Sequence, residues 1–230
     1  FADYLMVTPK WLFPAAKRLK KLHETHYNRS VHLVTPQSIY NEFSGGRRDV
    51  TAIRDFVRHF YVNAPSEEQK PKYLLLFGDA SYDFRGRNDE SHRPIVPIYT
   101  ARTSLLSTDA YSSDDYFTFM DENEGFWGES SDDSEYDTGK QTHFMDLGVG
   151  RLPVNNLEQA HNIVDKELEY ISDPSNFGSW RNKLTFLADI KKSGGTYERY
   201  HMSYAETTIN KIHGYNVCIN TDKVYLDSYP

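Results

Sequence analysis

Tyr73-Leu74-Leu75-Leu76-Phe77-Gly78-Asp79 is the stretch that decides the fold. Five apolar or aromatic residues run without polar alternation into a glycine and an acid. A strand covered on one face alternates apolar with polar residues; a strand covered on both does not. The run therefore predicts a central parallel strand. In an open parallel sheet the carboxyl ends of strands line the functional crevice. Asp79 is accordingly a candidate crevice acid, with the capping of a turn as the alternative.

Outward from this strand the pattern repeats. Tyr4–Val7, Val31–Thr35, Asp146–Val149, Leu184–Ala188 and Tyr215–Ile219 are similar short runs, rich in Leu, Val and Ile. Helical spacing fills the gaps. Pro14 suits a first helical turn, and Ala15, Leu19 and Leu22 share a face. Val50, Ile53, Val57 and Phe60 recur at intervals of three and four. Asn156 and Gln159 form a capping pair ahead of Leu157, His161, Val164, Leu168 and Ile171. Met202, Ala205, Ile209 and Ile212 form a further stripe, which Gly214 should end. Strand–helix alternation of this kind predicts an α/β fold with a mostly parallel sheet.

Gly78 to Phe144 interrupts the rhythm and is too long for a plain loop. Val96–Thr100 and Tyr116–Met120 are the expected short strands within it. Asp109 to Asp137 holds eleven acids and no Lys or Arg. The whole chain has 33 acids against 26 Lys and Arg, for a net charge of −7 over 230 residues. The acidic excursion thus carries all of the excess. A pI near 5.7 argues against a nucleic-acid partner. No apolar run is long enough to span a bilayer, and 14% aromatic content excludes a disordered chain. Phe1 opens the chain without a methionine or a secretory leader, so a piece of a longer protein is expected.

The excursion supplies a candidate cation site. Asp121-Glu122-Asn123-Glu124-Gly125 begins like a calcium loop, with Asp114 and Asp115 upstream, but its glycine falls one position early. Calcium is a possible ligand of Asp114, Asp115, Asp121 and Asn123; a hairpin turn is the plainer explanation. Gly148-Val149-Gly150-Arg151-Leu152-Pro153 lacks the third glycine of a dinucleotide site. Cys218, the one cysteine, stands inside an expected strand and reads as a small core hydrophobe. None of the nine histidines has a zinc-site partner at the usual spacing.

Composition and spacing stop at an α/β domain without a complete catalytic set. A set of strings goes further: Tyr73 to Asp83 (YLLLFGDASYD), Val96-Pro97-Ile98-Tyr99, Ser113-Asp114-Asp115-Tyr116-Phe117, Asp146 to Pro153 with its helix, and Lys223 to Asp227. Together they resemble the gingipain-type cysteine peptidases, and among these the sortases of the type IX secretion system. The resemblance implies a caspase-like three-layer α/β fold in two subdomains. Residues 1–179 would be the first and 180–230 the start of the second, which would be truncated here. It also implies a catalytic His in a Gly-His-Gly context and a Cys, both beyond Pro230, so that this chain contains no catalytic residue and is inactive alone. Asp189 and Glu198 fall near the family's acids for a basic substrate side chain. No cofactor is required. The partners would be secreted cargo proteins and other secretion-system components, at a bacterial cell surface. The alternative function is a non-catalytic binding module of the same fold, whose acidic loop holds calcium or a basic partner.

Overall fold

The computed structural model describes residues 1–81, 83, 94–100, 111–124, 144–189, 198–215 and 218–228. By internal contacts the chain divides into Phe1–Ile171 and Ser172–Pro230.

The first unit is built on four strands: β1 (Tyr4–Val7), β2 (Val31–Val34), β3 (Tyr73–Phe77) and, beyond two short strands, β6 (Gly148–Leu152). They lie in the order β2-β1-β3-β6, and every pairing is parallel. Helices cover both faces: α1 (Phe13–His26), α2 (Pro36–Phe43), α3 (Val50–Val62) and α4 (Leu157–Ser172). Alternate residues of each strand serve opposite cores. Leu5, Val7, Leu74 and Leu76 meet Ile39 and Tyr40 of α2 and Ile53, Phe56 and Val57 of α3. Met6, Leu75 and Phe77 meet Leu19 and Leu22 of α1 and Ala160 and Val164 of α4. This is why β3 reads as unbroken apolar sequence: from Leu74 to Phe77 both of its faces are buried.

The helix starts follow local chemistry. Asp49 caps α3 by accepting the Thr51 N–H at 2.9 Å. Asn156 Oδ1 accepts the Gln159 N–H at 2.9 Å, and Gln159 Oε1 accepts the Asn155 N–H at 2.8 Å. The expected capping pair forms, with its return bond one residue earlier than in a standard box. Helix α2 had no expectation, although its signal is present: Thr35 accepts the Ser38 N–H at 3.1 Å, and Pro36 opens the first turn.

The excursion packs on the α3 side. Its short strands β4 (Tyr99–Thr100) and β5 (Ser112–Ser113) pair antiparallel. Tyr116–Met120, expected as a strand, instead contains a 3-10 turn at Asp115–Thr118. That turn buries Tyr116 and Phe117 together, where a strand would send them to opposite faces.

The second unit contains β7 (Lys183–Ala188) and β8 (Asn220–Tyr225), paired in parallel, and the helix α5 (Glu198–Tyr215). Of the strand expected at Tyr215–Ile219, Asn216 and Val217 lie outside the described residues, and Tyr215, Cys218 and Ile219 are not in a strand. Helix α5 runs through Gly214 to Tyr215, and β8 begins five residues later than expected. Cys218 is therefore exposed in a turn, not buried in a strand.

His23 of α1 stacks on Tyr4 at a ring-centroid distance of 4.4 Å. Burial chiefly, and the Arg29 charge next, hold its pKa below the ordinary 6.5. The unfolded chain then binds the proton more readily than the native one, so acid favours unfolding. Stability from this contact should be complete above about pH 6.5 and fall as pH drops towards the folded value. His23→Gln should flatten the decline in melting temperature between about pH 6.5 and 5; an unchanged slope would remove the histidine from the account.

Candidate functional site

Asp79, the crevice candidate, stands directly past the end of β3. Its carbonyl accepts N–H bonds from Ile95 at 3.0 Å and Val96 at 3.2 Å. Its Oδ1 accepts the Ala80 N–H at 2.9 Å. The structure thus places Asp79 at the carboxyl edge of the sheet, with its carboxylate on the adjacent amide.

The same edge is organised by Arg151 of β6, a residue that sequence reading assigned no role. Its Nε donates to Asp114 Oδ2 at 2.8 Å and its Nη2 to Asp114 Oδ1 at 2.6 Å. Nη1 donates to the carbonyls of Gly78 and Val96, each at 2.8 Å, and Nη2 also to Pro97 at 3.0 Å. A guanidinium has five N–H donors, and all five are used. The side chains are only 11% and 17% exposed. Arg151 ties the end of β3, the segment after Pro94 and the acidic strip at Asp114 into one assembly. A signal for it exists in the sequence: an arginine inside an apolar strand requires a buried partner.

This changes the reading of the cation candidates. Both oxygens of Asp114 are held by Arg151. Asp115 begins the 3-10 turn, where its carbonyl accepts the Thr118 hydroxyl at 2.6 Å. Asp121 contributes its backbone, its N–H bonding Glu124 Oε2 at 2.9 Å. Asn123 lies in the 3-10 turn Glu122–Glu124. Among the described residues no group of three His, Cys, Asp or Glu side chains that could hold a metal occurs. Gly125 lies outside the described residues. The turn's buried member is Glu124, 2% exposed; its other oxygen accepts the Phe144 N–H at 3.1 Å. Asp146 helps close the same base, accepting the Met120 N–H at 2.9 Å and the Tyr61 hydroxyl at 3.2 Å. Glu124, inside the acidic run, and Asp146, beyond it, are therefore clasps.

In the second unit, Asp189 follows the last residue of β7. Its Oδ1 accepts a bond from His201 Nδ1 at 2.9 Å. Helix α5, which bears His201, is fastened to β8 through Glu206. That carboxylate takes Lys223 Nζ at 2.8 Å and the Tyr225 hydroxyl at 2.9 Å. Both bonds, Lys223 first, hold the Glu206 carboxyl below its ordinary pKa. Asp189 and His201 line a groove of about 450 Å³ with Leu187, Ala188, Val224 and Leu226. Glu198 is the first residue of α5; Lys191 and Lys192 lie outside the described residues.

The first unit is a three-layer α/β arrangement around a parallel sheet, the caspase-like fold shared by the solved structures that resemble it. The chain belongs to peptidase family C25, whose model matches residues 1–230. Among solved structures, dimeric latent PorU from Porphyromonas gingivalis is similar with a TM-score of 0.61 and 29% identity, over 79% of this chain and 16% of that one. The complex of pro- and mature domains of RgpB from the same organism gives 0.55 and 13%, over 97% of this chain and 42% of that one. The Arg-specific cysteine proteinase gingipain R gives 0.55 and 14%, over 97% and 41%. No curated protein matches. The chain spans less than half the length of each of these structures.

Proposed function

We propose that this chain is the leading part of a gingipain-like cysteine peptidase of the sortase type, acting on secreted cargo proteins at a bacterial surface. The observation that carries the reading is the family match over the whole chain. The 29% identity with PorU supports the sortase branch. The short span of the relatives' length leaves room for a catalytic His and Cys outside these residues.

The chemistry would be acyl transfer. A thiolate attacks the scissile carbonyl carbon, the C–N bond breaks, and the imidazole protonates the departing amine. The acyl-enzyme then passes its acyl group to water or to an amine acceptor. This chain's share is to hold the frame and, through Asp189 and Glu198, to favour a basic side chain beside the scissile bond by charge-assisted hydrogen bonding. Cys218 takes no part.

The isolated chain should hydrolyse no peptide. A longer polypeptide that includes the downstream His and Cys should do so, with Cys218→Ser leaving its rate unchanged. Hydrolysis by the 230-residue chain itself, abolished by alkylating Cys218, would overturn the reading.

A further inference from the structure

Among the described residues β2 has one strand partner, β1, and stands at the edge of the four-stranded sheet. Tyr4 N–H bonds Ser30 O and Thr8 N–H bonds Val34 O, which shows the residues that face that partner. Facing residues alternate along a ladder, so Ser30, His32 and Val34 turn their backbone groups to β1, and Val31 and Leu33 turn theirs outward. An open edge is a template for a further strand, and lysines commonly guard one. Lys20 of α1 guards half of this edge, its Nζ donating to Val31 O at 2.6 Å. Leu33 is left open: neither its N–H nor its C=O is bonded among the described residues.

Beside that opening, Phe13, Lys17, Lys20 and Glu24 of α1 form with His32 and Leu33 a groove of about 390 Å³. Phe13 and Leu33 are half-buried and give it an apolar floor. Lys20 is paired with Glu24 at 3.2 Å. Lys17 forms no ion pair among the described residues and stands 6.0 Å from the centre of the Phe13 ring. The groove therefore presents one uncompensated positive charge next to an unused backbone donor and acceptor.

We propose that the free edge of β2 binds an extended acidic peptide, which adds antiparallel as a fifth strand with a Glu or Asp opposite Leu33. In that pairing one peptide residue meets both backbone groups of Leu33. Its side chain falls on the same face as that of Leu33, which packs towards α1 and Lys17. Main-chain bonds supply the affinity, and the charge selects the residue. The peptide residues on either side turn to the opposite face, where the His32 ring lies 5.2 Å from that of Phe60, so apolar side chains suit them. The inference adds a docking surface and does not depend on the peptidase reading.

The probes are the acetylated, amidated peptides Thr-Val-Glu-Val-Thr, Thr-Val-Gln-Val-Thr and Thr-Val-Lys-Val-Thr, and the first of these with its Glu N-methylated. Each is titrated into the chain while NMR follows the Leu33 amide and the Lys17 side chain. The Glu probe should shift both signals saturably, with Kd below about 1 mM. The Gln probe should bind about two- to fivefold more weakly, and the Lys probe more weakly still. N-methylation removes the N–H that Leu33 O accepts and should weaken binding at least about tenfold. Lys17→Glu should invert the order, so that the Lys probe binds best; Lys17 is exposed, so the replacement leaves the fold intact. Absence of saturation at millimolar peptide would overturn the proposal, as would equal binding of the N-methylated probe or an order unmoved by Lys17→Glu. Sedimentation of the chain alone supplies the remaining arm. A dimer that forms without peptide and dissociates in Lys17→Glu would make a second copy the occupant and overturn the acidic-peptide assignment.

Discussion

Arg151→Ala is expected to destabilise the first unit by about 3–5 kcal/mol, the usual cost of breaking a buried ion pair from one side. The loss has two sources. The Asp114 carboxylate, 17% exposed, would keep its charge without its partner. Three carbonyls, those of Gly78, Val96 and Pro97, would lose their donors at once. Arg151→Lys should recover only part of this, because an ammonium has three donors at a point and cannot grip the carboxylate as a fork while reaching three carbonyls. Replacing both partners, Arg151→Met with Asp114→Leu, should cost less than the sum of the single changes, since no orphaned charge remains. Urea unfolding followed by hydrogen exchange at the Met6 and Leu75 amides reads the first unit. Loss below about 1 kcal/mol for Arg151→Ala would show that the pair behaves as a surface bridge.

That hub marks the limit of what the sequence displayed. The positions of β1, β2, β3, α1, α3 and α4 were legible because each buries a simple pattern: unbroken apolar residues for a strand between two layers, three-and-four spacing for a helix against one. β8 was not legible because Asn220, Thr221, Asp222 and Lys223 hold it by backbone pairing with β7, and only Val224 and Tyr225 are apolar. The neighbouring Val217-Cys218-Ile219 looked more strand-like and drew the expectation away. The end of β6 lies three residues past the expected one for a similar reason: Gly150, Arg151 and Leu152 belong to the strand, yet the arginine resembles the end of one.

The site divides the same way. Asp79 was legible as an acid at a strand's carboxyl end, since that depends on local order along the chain. Glu124 and Asp146 were not, because their hydrogen bonds join residues brought together only by folding; an acidic run looks the same whether its members are solvated or clasping backbone amides. The pairing of Asp189 with His201 spans a helix start and a strand end, and no spacing rule announces it.

Gly78→Ala should have an effect of the same order, about 2–5 kcal/mol, by adding backbone strain to overpacking. The residue follows β3 with φ at +152°, a conformation that side chains rarely adopt. A Cβ there would stand 2.6 Å from Ile95 Cγ2 and 3.0 Å from Val96 Cγ2. Both are β-branched with little rotamer freedom, and Val96 is fully buried in the core. Relief by moving the segment is resisted on every side: Gly78 N–H bonds Leu152 O at 3.0 Å, its carbonyl is held by Arg151, and Val96 N–H is tied to Asp79. The clash should therefore propagate into the Arg151 assembly. Hydrogen exchange at the Gly78, Asp79 and Val96 amides should quicken by a larger factor than at Met6, which lies in the same sheet away from the collision. Combining Gly78→Ala with Ile95→Ala removes the nearest obstacle but leaves the φ requirement, so it should restore about half of the loss. Full restoration would show that crowding alone excludes a side chain here, and none would show that the backbone angle does.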